Sequence, residues 1–177
     1  MITLALACAL AGCAQAGDHD YQGEGEEPAQ VASMFPTPVT KADYEDAVHL
    51  TSDCMGKTKV QLVNYGWDPI DQQGMILIYR APGVPKAEVS DTARKCRAQH
   101  LDAVEARYKH DHEAFMAPKL MKIVQGCLTT KGISLTGQER NPEDLLEAVP
   151  EDKLVDLLDC VHPNANKLYP GLPIEFP

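Results

Sequence analysis

The sequence predicts a mainly α fold with a small β-hairpin (α+β), built as two small disulfide-stapled helical units in tandem. Three observations carry this. Apolar residues recur at helical spacing in several stretches of the body. Two short apolar runs, 60–65 and 75–79, are separated by turn signals, the pattern of a hairpin. Cys54, Cys96, Cys127 and Cys160 divide into one pair for each half of the body.

Length and composition set the limits. A chain of 177 residues is one ordinary domain or two very small ones. Hydrophobic residues make up 44% but aromatics only 6%, so the core is aliphatic and helical. The net charge is -10, and Asp18, Asp20, Glu24, Glu26 and Glu27 precede the first basic residue, Lys41. An acidic chain repels phosphate backbones, which argues against nucleic acid as a partner. It equally argues against a polybasic membrane contact, leaving a lipid as the route to a membrane.

Residues 2–11 form an apolar run of signal-peptide length, too short to span a bilayer as a helix. It ends in Leu10-Ala11-Gly12-Cys13, which has the form of a lipobox. Residues 1–12 therefore read as a signal peptide and Cys13 as the lipidated (palmitate-type) cysteine. Cys8, preceded by Ala5 and Ala7, is the poorer cleavage site. A basic n-region is expected before such a run, so the natural start is expected upstream of Met1. Residues 13–40 read as the lipidated cysteine and a disordered acidic tether, rich in Gly, Glu, Gln and Pro. One acyl chain binds only reversibly, so the anchor needs several. The expected location is the extracytoplasmic face of the cell membrane.

Thr40 and Asp43 start the first body helix as cap and N3 acid, with Val39 stapling to Tyr44. That helix runs to about Thr58, with Tyr44, Ala47, Val48, Thr51, Cys54 and Met55 on one face. Val60–Tyr65 and Met75–Tyr79 are the hairpin strands, joined by a long loop through Asp68-Pro69 and Gly74. A lone hairpin is marginal, so this one must lie on the helices. Pro85 opens a long helix to about His110, with Val89, Ala93, Cys96, Leu101, Val104 and Tyr108 as its stripe. Asp91 with Lys95 and Glu105 with Lys109 are i,i+4 pairs on its outer side. A further helix spans about 113–131, with Pro118 placing its true start nearer Ala117; Met116, Leu120, Ile123, Val124, Cys127 and Leu128 line one side. Gly132 stops it. After an extended Ile133-Ser134-Leu135, Asn141 caps a short helix to Val149, and Pro150 begins the last one, with Leu154, Leu157, Leu158 and Val161 inward. Residues 164–177 hold three prolines and are expected as an extended tail.

Two stretches align without gaps. Cys54-Met55 with Val60 and Leu62 matches Cys127-Leu128 with Ile133 and Leu135, and each copy has one later helical cysteine. Four cysteines allow three connectivities; the repeat selects Cys54–Cys96 and Cys127–Cys160. The units are then 41–112, helix-hairpin-helix, and 113–163, helical. Each bridge would add about 3 to 4 kcal/mol by closing its loop.

The lipobox, the acidic tether and these helix-ending elements resemble a group of uncharacterised actinobacterial lipoproteins with a Cys-Met/Leu-x-x-x-Gly pattern. Cys54-Met55 with Asp68-Pro69, and Cys127-Leu128 with Gly132, carry the match. The first copy departs from it, with Lys59 where the second has Gly132. The resemblance covers most of 44–162. It implies an envelope location and no assigned activity.

Candidate chemistry is sparse. His100, His110 and His112 invite a metal reading, but residues two apart on a helix face different ways, so His110-Asp111-His112 reads as a polar turn. No Cys-x-x-Cys, phosphate-binding loop or nucleophile-elbow spacing is present, and no cofactor is expected. The acids Glu143, Asp144, Glu147, Glu151 and Asp152 sit in first turns, where the helix dipole favours them. Tyr65, Trp67, Asp68 and Asp71 are the best candidate contact surface. The sequence thus predicts a non-enzymatic envelope lipoprotein that binds or scaffolds an envelope protein or cell-wall partner. The alternative is an envelope metal-binding protein or enzyme using His100, His110 and His112.

Overall fold

The computed structural model describes residues 37–174 and Phe176. The lipobox, Cys8, Cys13 and the tether up to residue 36 lie outside the described residues. Among the described residues helices dominate: α1 (Lys41–Gly56), α2 (Lys86–His100), α3 (Asp102–Asp111), α4 (Pro118–Thr130), α5 (Pro142–Ala148) and α6 (Leu154–Leu168), with a 3-10 turn at Glu151–Lys153. The strands β1 (Gln61–Trp67) and β2 (Met75–Arg80) form an antiparallel hairpin in which Leu62 faces Tyr79 and Val63 faces Ile78.

The helix starts follow from short-range chemistry. Thr40 Oγ1 accepts from the Asp43 N–H at 3.2 Å, and the Thr40 N–H donates to the Asp43 carboxylate at 2.8 Å. Asn141 and Asp144 repeat the same reciprocal capping at α5. Each capping box satisfies amides that have no partner inside the helix.

Both predicted disulfides are present, Cys54–Cys96 tying α1 to α2 and Cys127–Cys160 tying α4 to α6. The Cα atoms are 5.7 Å apart in each. Disulfides persist in oxidising compartments, so the pair points to an extracytoplasmic location. Among the described residues no helix is long and apolar enough to cross a membrane.

The repeated elements occupy matching environments. Met55 and Leu128 are fully buried, Val60 and Ile133 are buried, and Leu62 and Leu135 pack partly on their own cores. They end their helices by different means. Gly132, at φ 79°, lets the Ile133 N–H reach back to the Leu128 carbonyl, which few side-chain-bearing residues could do. At the first copy the Thr58 hydroxyl does the work, donating to the Met55 carbonyl and accepting from the Val60 N–H. That is why Lys59 stands where the second copy has glycine.

Several expectations are corrected. The long helix from Pro85 to His110 is broken at Leu101, whose φ is -116°. The apolar stripe steps by five residues from Cys96 to Leu101, one more than a continuous helix allows. The break restores phase and buries Leu101 completely. Arg97 clasps the junction, with Nε 2.9 Å from Asp102 and Nη2 2.6 Å from Glu105. Of the two expected i,i+4 pairs, Lys109–Glu105 forms at 2.8 Å, whereas Asp91 pairs with Arg94 instead. Residues 113–117 are not helical, and α4 begins at Pro118. On α4 Met121 is buried while Ile123 remains 36% exposed, and on α6 Cys160 takes the inward place expected of Leu158. The expected extended tail starts too early, because α6 continues through Pro163 to Leu168. Fully buried Ala165 and part-buried Leu168 extend the stripe from Val161, and this packing offsets the hydrogen bond that proline removes.

Apart from Ile70, the three core clusters fall on either side of 112/113. One cluster joins Val39, Tyr44, Ala47, Val48, Leu101 and Tyr108, and a second joins Met55, Val60, Ala93 and Cys96. The third is built from residues 116–165 but also takes in Ile70 from the hairpin loop. That loop is fastened by backbone bonds to the segment before α4: Phe115 N–H to the Asp71 carbonyl at 2.9 Å and Ala117 N–H to the Pro69 carbonyl at 2.8 Å.

Candidate functional site

The structure divides the four residues of the predicted contact surface between two sides of the hairpin. A β-bulge separates them. Tyr65 and Gly66 of β1 lie between the Asn64–Leu77 and Trp67–Met75 pairs, opposite Ile76 alone. Gly66 has φ 89°, a conformation that glycine adopts without steric cost. The extra residue turns Trp67 to the helix side.

There Trp67 completes an aromatic cluster. Its ring centroid is 5.1 Å from Tyr44 and 5.2 Å from Tyr108, and Tyr108 in turn lies 4.2 Å from His112. Trp67 Nε1 donates to Glu45 at 3.2 Å, and Lys41 Nζ lies 4.7 Å over the ring. Burial and the nearby Glu105 carboxylate push the Tyr44 phenol well above its usual range, so it stays neutral. Trp67 is therefore a structural residue.

Asp68 and Asp71 shape the loop. Asp68 Oδ1 accepts from the Ile70 N–H at 2.8 Å and Asp71 Oδ1 from the Gln73 N–H at 2.9 Å, both Asx-type turns. Burial raises the Asp68 carboxyl above its usual range. These bonds aim Ile70 into the third core cluster.

Tyr65 is the member that faces outward. Leu62, Met75, Leu77 and Tyr79 pack on the helical cores. By alternation Val63, Tyr65, Ile76 and Ile78 occupy the other side, and none of the four packs against any of the three clusters. All are half-buried, sheltered by one another. Arg80, on the same side, donates from Nη2 to Tyr65 Oη at 2.7 Å. The result is an apolar outer face carrying a Tyr–Arg pair, the residue types enriched where proteins bind partners.

Val63, Ile76 and Ile78 are absent from the sequence-derived surface. A signal for them exists: Met75-Ile76-Leu77-Ile78-Tyr79 is apolar at both parities, as in strands covered on both faces. Among the described residues only one face is covered.

The three histidines do not converge. His112 Nε2 donates to the Val39 carbonyl at 2.7 Å, and His110 Nδ1 lies 3.2 Å from Asp111. His100 lines a separate shallow depression with Leu50, Asp53 and Lys57. Among the described residues no three His, Cys, Asp or Glu side chains form a metal-sized group. Another apolar groove, about 320 Å³, lies beside α4 between Phe115, Met116, Met121 and Arg140. No known protein family, curated protein or solved structure matches the chain.

Proposed function

We propose that this protein is a non-enzymatic binding or scaffold lipoprotein, held to the outer face of the cell membrane by a lipid on Cys13. In this reading it meets an envelope or cell-wall partner through the outer face of its hairpin. The observation that carries the binding role is the face of Val63, Tyr65, Ile76 and Ile78, apolar and left without a cover by the described residues. The disulfides support the compartment and the lipobox supports the anchor.

Two measurements test it. Metabolic labelling with a fatty-acid analogue is expected to be lost in Cys13→Ala; retained label rejects the anchor. A photo-crosslinking residue at position 78 is expected to trap a discrete adduct in living cells. The same residue at position 50, exposed at 53% on α1, is the control. Equal labelling from both positions rejects the face. The metal reading predicts instead that zinc or copper raises the melting temperature and that His110→Ala with His112→Ala removes the rise.

A further inference from the structure

We propose that the groove beside α4 binds a single-chain amphiphile with a carboxylate head, its apolar chain on Phe115, Met116, Pro118 and Met121 and its head at Lys122 and Arg140. The groove shares no residue with the outer face of the hairpin, so this site adds to that contact surface and does not depend on it.

Phe115 is a side chain that the fold itself does not use. It is 39% exposed and packs against none of the three core clusters. Its backbone is nonetheless fixed. Its own N–H is held by the Asp71 carbonyl, and the next one, of Met116, donates to the Arg140 carbonyl at 2.7 Å. The second bond joins the two walls of the groove, residues 115–118 and 139–140, so the groove exists before any ligand arrives. Met116 and Met121 are buried and form its floor. Methionine is unbranched and polarisable, and it adapts to apolar chains of varied shape.

Size favours a small molecule over a protein. At about 320 Å³ the groove matches the lower end of the range in which proteins hold single small ligands, about 300–1,000 Å³. A stable protein partner would need about 800 Å² on this side, far more surface than these few side chains expose.

Charge selects the head. The chain carries -10 overall, yet from Ala114 to Gln138 it has no Asp or Glu and it has Lys119, Lys122 and Lys131. Most of the groove lies on this acid-free stretch. One carboxylate, Glu139, lines it, but that group is engaged by its own loop. Its Oε1 accepts from the Thr136 N–H at 2.8 Å and hydroxyl at 2.7 Å, and its Oε2 from the Gly137 N–H at 2.9 Å. Lys131, just past the end of α4, is already paired with Asp156 and Asp159. Lys122 and Arg140 are exposed and make no ion pair among the described residues. A guanidinium can meet a carboxylate with two parallel N–H···O bonds, and an ammonium beside it adds a point charge. A cationic head would forgo both.

The test is a titration of the purified full chain, made unlipidated by Cys13→Ser and free of detergent, with dodecanoate below the concentration at which it forms micelles. Isotope-labelled methionine methyl groups report the site by NMR, because Met116 and Met121 line it whereas Met55 and Met75 belong to other clusters. Saturable shifts are expected at Met116 and Met121 and none at Met55 and Met75. Lys122→Gln/Arg140→Gln should weaken dodecanoate binding by about tenfold or more. Phe115→Ala should weaken it with the melting temperature unchanged. Dodecyltrimethylammonium, the same tail on a cationic head, should not saturate the site, and acetate, the head alone, should not shift it. Equal saturation by the two long-chain heads, or unchanged affinity in the double variant, would overturn the proposal. So would silence at Met116 and Met121, or shifts spread equally over all four methionines. None of these results touches the crosslink from position 78, so the groove and the hairpin face fail separately.

Discussion

Asp111 holds Val39 across 72 residues of sequence, its Oδ2 accepting the Val39 N–H at 2.9 Å while the same atom accepts from Arg107 Nε at 2.7 Å. The Arg107 hydrogen bond leads in holding the Asp111 carboxyl down to about 2, from an ordinary 3.8. A depressed folded-state pKa stabilises the fold above the unfolded value, and that contribution disappears as pH falls through the folded one. Thermal unfolding should therefore show a loss between about pH 4 and pH 2 for the native chain. Asp111→Asn should melt lower at pH 6 and vary less over that interval. An unchanged pH profile would show that the clasp contributes nothing.

Each disulfide should be worth a comparable amount. The bridges span 42 and 33 residues. Chain-entropy arguments give about 4 kcal/mol for loops of this length. Replacing Cys127 and Cys160 together by alanine should lower unfolding free energy by about 3 to 4 kcal/mol in urea titrations. Non-reducing peptide mapping of the native chain should recover both links and no free thiol among the four cysteines.

Leu101 is the keystone of the α2–α3 break. It is fully buried, and its truncation would leave a void that Val48, Tyr44 and Tyr108 can fill only by moving. Leu101→Ala should cost about 2 to 5 kcal/mol, the range for buried leucines. Val155→Ala, at a side chain 70% exposed, should change stability by less than about 0.5 kcal/mol.

Gly66 sets which side Trp67 takes. A side chain at φ 89° is strained whatever the space around it. Gly66→Ala should cost about 1 kcal/mol or more. Trp67 is the sole tryptophan, so a red shift in its fluorescence would report departure from the Tyr44–Tyr108 cluster directly.

Arg80 and Tyr65 should separate binding from stability. Arg80 is exposed, and Arg80→Ala should shift unfolding free energy by no more than about 0.5 kcal/mol. If the outer face is where a partner sits, loss of either residue should weaken its capture by about tenfold or more, as anchor residues do.

Much of the fold was readable because its determinants are local. The Thr40–Asp43 and Asn141–Asp144 caps, the Pro118 start and the Gly132 stop each need only neighbours in sequence. The disulfide pairing was readable because one helix-ending pattern occurs twice. What could not be read depends on distant neighbours. Met121 and Ile123 flank the same buried line of α4, and which of them is covered depends on neighbours distant in sequence. Trp67 looked like an exposed loop aromatic because a bulge is invisible to simple alternation. The break at Leu101 is marked in the sequence only by the five-residue step from Cys96, with no proline or glycine between them to signal it. At the site, Tyr65 stands out as an aromatic beside a turn, whereas Ile76 and Ile78 lie in a strand that is apolar at both parities, so neither face is marked as the open one.

Ile70 gives the molecule an order of assembly. Its side chain belongs to a core whose other members, from Met116 to Ala165, all come later in the chain. During synthesis the first helices and strands can meet one another early, but the tip of the hairpin has no seat until the C-terminal helices exist. Contacts of such long sequence separation form late and slow the search for the native state. A product truncated after His112 would therefore keep its first disulfide pair yet present a bare, sticky loop, which marks it for aggregation or proteolysis.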